Sequence, residues 1–143
     1  MKYLLLMFSV LSTVGCTVTY MADPADELDS YSREICIIDN NQIKDELLTA
    51  YQKVLLEKGF SVKLIQSESL VDACSLTSNY TGKWSWDFKT YMAEAEINVY
   101  EEGTLIASAK YSSPPGGWSM TTKIYESTEA KVRGMLDQLF PKI

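Results

Sequence analysis

The sequence predicts an α+β fold: a two-layer sandwich in which a β-α-β unit is followed by an antiparallel β-meander and a C-terminal helix. Two observations carry this. Apolar residues recur at spacings of three and four over 42–58 and again over 120–140, so each segment forms a helix with a single apolar stripe. Short apolar or alternating runs, bounded by Gly, Asn and Pro, fill the sequence between them. Two one-striped helices bury most simply against one face of a common sheet.

The elements follow in order. Ile35-Cys36-Ile37-Ile38 is wholly apolar, as for a strand covered on both faces. Asp39, Asn40 and Asn41 are good helix N-caps. From Gln42 to Lys58 the apolar positions Ile43, Leu47, Ala50, Tyr51, Val54 and Leu55 share one helical face, and Gly59 is placed to end the helix. Phe60 to Ile65 reads as the returning strand. Ser67 to Val71 reads as a helical turn and Cys74 to Tyr80 as a weak strand. Trp84, Trp86 and Phe88 alternate on one parity, and Tyr91, Ala93, Ala95, Ile97 and Val99 on the other. Side chains alternate strictly along a strand, so a bulge or break is expected near Lys89 to Tyr91. Glu101 to Thr104 forms a turn, and Leu105, Ala107, Ala109 and Tyr111 return as the partner strand. Pro114-Pro115-Gly116-Gly117 is a loop. The last helix, about Met120 to Phe140, buries Ile124, Val132, Met135, Leu136 and Leu139, and Pro141 stops it.

The N-terminus has a different character. Lys2 is followed by an apolar run from Tyr3 to Leu11, the length of a signal-peptide core and short of the about 20 apolar residues that cross a bilayer. Thr13-Val14-Gly15-Cys16 resembles the lipobox of bacterial lipoproteins, departing from the usual leucine at Thr13. The resemblance implies cleavage before Cys16 and acylation of that cysteine. It also implies the outer membrane as destination, because Thr17 stands where an inner-membrane aspartate signal would be. The order of elements resembles the small periplasmic domains of envelope assembly lipoproteins and the N-terminal domain of the Tol-system propeller protein. Ile35 to Ile65 carries most of that likeness. The whole chain also resembles small proteobacterial outer-membrane lipoproteins.

The expected organisation is therefore a signal peptide over 1–15, a lipidated cysteine and acidic flexible tether over 16–33, and one periplasmic domain over 34–143. The tether would span at most about 60 Å extended and roughly 20 to 25 Å as a coil. With Cys16 set aside for lipid, Cys36 and Cys74 remain as an even pair in an oxidising compartment. They are expected to form a disulfide, the alternative being two buried thiols.

The chain of 143 residues suits one domain, and its apolar and charged fractions, 46% and 22%, are ordinary for a folded protein. Its formal charge is −6; without the leader, and hence without Lys2, 12 cationic side chains face 19 anionic ones, or −7. That balance disfavours nucleic acid as a partner. There is no histidine, which removes Ser-His and Cys-His nucleophile pairs and His-ligated zinc. No metal or cofactor is expected. Glu94 and Glu96, two apart on a strand, suit glycoside hydrolysis by spacing but read better as a solvated strand face.

The sharper feature is aromatic: Tyr80, Trp84, Trp86, Phe88, Tyr91, Tyr100, Tyr111, Trp118 and Tyr125. Strand aromatics fill cores or pair across strands, or part of the set forms a binding groove. The candidate partner-binding residues are Trp118 with its loop Pro114, Pro115, Gly116 and Gly117, together with Trp84 and Trp86. The functional expectation is a non-catalytic, lipid-anchored protein that binds another envelope component, a protein first of all. The alternatives are a glycan- or lipid-binding module using the aromatics and, more remotely, a histidine-free hydrolase.

Overall fold

The computed structural model describes residues 19–25, 33–66, 73–113 and 125–141. It is a mixed α+β structure with a six-stranded sheet and two helices. The strands are β1 (Thr19–Asp23), β2 (Glu34–Ile38), β3 (Ser61–Ile65), β4 (Leu76–Asp87), β5 (Lys89–Glu101) and β6 (Thr104–Ser112). The helices are α1 (Asp45–Glu57) and α2 (Thr128–Leu139). The sheet order is β1-β6-β5-β4-β2-β3. β2 pairs in parallel with β3 and β4, and β4, β5, β6 and β1 pair antiparallel in turn.

One core joins both helices to one face of the sheet. Leu47, Tyr51, Val54 and Leu55 of α1 and Val132, Met135, Leu136 and Leu139 of α2 pack with Ile35, Ile37, Leu76, Ile97, Val99 and Ala109. Ile35, Cys36 and Ile37 are all buried, so β2 is covered on both faces as its unbroken apolar run requires. Cys36, pointing away from Ile35 and Ile37, forms a disulfide with Cys74. α1 ends as its glycine predicts. Gly59 has φ +86°, its N–H donates to the Leu56 carbonyl, and the Phe60 N–H reaches back to Leu55.

Four expectations need correction. Thr19–Asp23 falls inside the stretch read as a tether but forms an edge strand on β6. Tyr20 holds it there. Its ring lies 5.4 Å from that of Tyr111 and packs on Gly134 of α2, while the Ala25 N–H donates to the Leu139 carbonyl. The acidic run that follows from Asp23 to Asp29 hid this contact, whose partners lie far along the chain. Second, α1 begins at Asp45 rather than Gln42, without a side-chain cap. The Asn40 side chain is spent on the Gln42 N–H in the preceding turn. Third, the change of parity between Trp84 and Ile97 has two causes, a chain reversal at Phe88 and a bulge further on. Fourth, α2 begins at Thr128, with the Ser127 side chain accepting from the Ala130 N–H. Positions 120–124, expected in this helix, lie outside the described residues, as do Ser67 to Val71.

Candidate functional site

The even-numbered residues of β4 face the helices. Leu76, Ser78 and Tyr80 are buried, and the Ser78 hydroxyl bonds the buried Tyr51 hydroxyl at 2.6 Å. Gly82 follows, and the Trp84 ring folds back over it, packing against the core with the Lys44 ammonium 5.3 Å from its centroid. Lys44 is the residue immediately before α1, so the helical layer begins level with Trp84. Trp86, one step further, is 70% exposed, and Phe88 at the apex is 81% exposed. Their rings lie 6.1 Å apart.

The β-sheet also thins out here. β2 pairs with β4 only through Leu76–Ser78, and β6 stops at Ser112, opposite Glu94. Lys83 pairs with Glu94 and Trp84 with Met92, which leaves Ala93 as the extra residue of a bulge. Its carbonyl takes the Ser113 N–H at 2.8 Å. The bulge lets Met92 and Ala95 both face the core. Past Met92, among the described residues, the two strands pair only with each other, ending at Asp87 opposite Lys89. The result is a two-stranded hairpin with two exposed aromatic rings at its end.

The apex carries local strain. Phe88 has φ +59°, in the left-handed region, where a residue with a Cβ is disfavoured by roughly 1–2 kcal/mol. Glycine or asparagine suits such a position better.

The opposite face of the sheet is polar. The Ser108 hydroxyl donates to Asn98, whose amide donates to Asn79 and to Glu96, linking three strands. Lys83 pairs with Glu94 at 2.9 Å, and Lys110 lies 4.0 Å from Glu96. The Lys83 hydrogen bond and charge hold the Glu94 carboxyl below its ordinary range, the reverse of what a general acid needs. Shallow depressions on this face, one over Lys83, Glu94 and Lys110 and one beside β1, are open to solvent.

A buried cation escaped the sequence reading. Lys131 of α2 is almost fully buried, donates to the Met92 carbonyl at 3.1 Å and lies over the Tyr91 and Tyr111 rings. Burial pushes its ammonium below the usual lysine range. Its place on the apolar stripe next to Val132 was the available signal. Among the described residues no group of three or more Cys, Asp or Glu could hold a metal ion, and no helix is long and apolar enough to cross a membrane.

Of the candidate partner-binding residues, the structure therefore separates Trp84, packed on the core, from Trp86, which is exposed. Pro114, Pro115, Gly116, Gly117 and Trp118 lie outside the described residues, as does Cys16. Phe88, which strand parity alone groups with the two tryptophans, is the most exposed aromatic of the hairpin.

The fold has solved counterparts. The PelC dodecamer from Paraburkholderia phytofirmans superimposes with a TM-score of 0.62 at 11% sequence identity, over 85% of this chain and 98% of that one. A point variant of the same dodecamer gives 0.62 at 8% identity, over 86% and 98%. The likeness is one of fold. No protein-family model matches the chain, and no curated protein matches it.

Proposed function

We propose that this chain is a non-catalytic, lipid-anchored envelope protein, cleaved before Cys16 and acylated there. It is held on the periplasmic face of the outer membrane, where a two-layer domain works by binding a protein of the envelope. The observation that carries the binding reading is the pair of open sheet edges. Among the described residues, β1 is bonded on one side only, by β6, and β3 on one side only, by β2. Each edge strand offers unpaired backbone groups to a further strand. Met21 on β1 is 67% exposed and Leu64 on β3 is 45% exposed. Open edges at opposite ends of one sheet suit head-to-tail contact between copies, which closes into a ring when the rotation permits. That the fold's counterparts are dodecamers supports further copies of this chain as the first partner to test. The absence of histidine from the chain and the lysine-paired Glu94 support a non-catalytic role.

The test is sedimentation of the mature chain with and without Met21→Lys, together with cross-linking in cells. The expected result is an assembly larger than a monomer that the charged edge dissociates. A chain that sediments as a monomer and captures no envelope protein in cells would overturn the binding reading. A second reading, a lipid-binding module, is favoured by the exposure of Trp86 and Phe88.

A further inference from the structure

We infer that the β4–β5 hairpin tip, through Trp86 and Phe88, enters the periplasmic leaflet that holds the lipid anchor, as a second, non-covalent membrane contact. The inference rests on the proposal that Cys16 is acylated. It begins with register. Thr19 pairs with Ser112, Ser112 with Glu94, and Glu94 with Lys83, so these four residues form one row across the sheet. β1 runs away from that row towards Asp23, level with Ser108 and Asn98, so the N-terminal end of β1 faces the other side of the row. The hairpin tip lies on that same side. From Lys83 to the apex is five residues, about 15 Å of strand.

Only Thr17 and Val18 separate Cys16 from Thr19. Three residue steps reach at most about 10 Å. Because β1 is docked on β6 and α2, an acylated Cys16 cannot stand off from the domain as a long tether would allow. An anchor at Cys16 is limited to about 10 Å from Thr19, whereas the apex stands about 15 Å beyond the row that contains Thr19. A bilayer surface that receives the acyl chains of Cys16 therefore meets the apex.

The apex is chemically suited to that surface. Trp and Phe are large apolar groups, and tryptophan is enriched at membrane interfaces. Lys83 and Lys89 balance Glu94 and Asp87 at the tip, so the hairpin end is neutral in a chain whose overall charge is −6, and it does not repel anionic head groups. Phe88 is the sharpest sign. It keeps a strained backbone at an exposed apex where its ring meets that of Trp86 and is otherwise turned to solvent, which suits contact outside the domain.

The experiment uses the chain without residues 1–15 and with Cys16→Ser, which carries no acyl group, and vesicles of phosphatidylethanolamine and phosphatidylglycerol. The unacylated chain should float with the vesicles, and brominated lipid should quench fluorescence that Trp86→Ser removes. The double variant Trp86→Ser/Phe88→Gly should partition at least about tenfold more weakly, since two aromatic side chains lose their apolar burial. Its melting temperature should be unchanged or higher, since glycine relieves Phe88. Failure to float, equal flotation of the double variant, or quenching unaffected by Trp86→Ser would each overturn the inference. A change in assembly size on the double substitution, with no vesicle binding, would assign the tip to a protein contact instead and overturn it too. Fatty-acid labelling of the wild type against Cys16→Ala in cells judges the anchor separately: an unlabelled wild type removes the anchor while the vesicle result stands by itself.

Discussion

The Trp84 ring occupies the space that a side chain at Gly82 would fill. A Cβ at Gly82 would stand 2.9 Å from that ring and 2.8 Å from Leu47 Cδ2. The pair thus caps the core where α1 begins, with a glycine on the strand and an aromatic residue folded back over it.

Gly82→Ala is expected to destabilise the chain by about 1–3 kcal/mol, the range for overpacking a filled site. Leu47 is fully buried, so its shift would disturb its core neighbours, whereas Trp84 is only partly buried. Trp84→Ala should therefore relieve part of the Gly82→Ala penalty, and a double-mutant cycle in urea should show coupling between the two positions. Additive effects would contradict the contact.

Loss of the Cys36–Cys74 disulfide is the second test. The bridge spans 38 positions and ties the middle of β2 to the residue two before β4. Replacing both cysteines with alanine should cost about 2–5 kcal/mol of stability, largely by freeing the unfolded chain. Urea midpoints of the oxidised chain and the double variant check this, and equal midpoints would refute it.

Alkaline pH supplies the third. Burial, aided by the negative charge of Glu126, pushes the Tyr20 hydroxyl up to about 12, and burial raises Tyr51 and Tyr111 as well. Unfolded tyrosines titrate near 10. The folded chain therefore holds protons that the unfolded chain releases above pH 10. This contribution to stability is complete below pH 10 and is lost as the pH rises through 12. Lys131 has the opposite sign: with its folded value lowered, stability rises with pH until its unfolded value is reached, near 10.4. The net expectation is unfolding that begins above pH 10, with tyrosinate absorbance and loss of near-ultraviolet circular dichroism rising in one step. Gradual tyrosine titration with the fold intact at pH 12 would contradict it.

Local pattern was enough for α1, for β2 and β3, for the turn at Glu102 and Gly103, and for the pairing of Cys36 with Cys74. In each case the determinant is short-range or countable: a 3.6-residue period, an unbroken apolar run, a glycine at positive φ, an even pair of cysteines. Lys131 shows the limit. Its sequence position lies beside Val132 on the buried stripe, yet only the tertiary structure supplies the Met92 carbonyl and the two tyrosine rings that accept its charge.

The sequence by itself determined the composition, the acidic charge, the lack of histidine and the periodicities that make one α+β domain. Tertiary structure alone decided where Thr19–Asp23 joins the sheet and which aromatic residues are left in water. Tyr20 lies just before an acidic run, in a segment too short to declare itself a strand, and it becomes part of β1 because Tyr111 and Gly134, far along the chain, form its seat. Trp84 and Trp86 share a parity and a residue type, so periodicity cannot tell them apart. They differ because α1 begins level with one and stops short of the other: burial is a property of what lies opposite a side chain, and that partner comes from a distant part of the sequence.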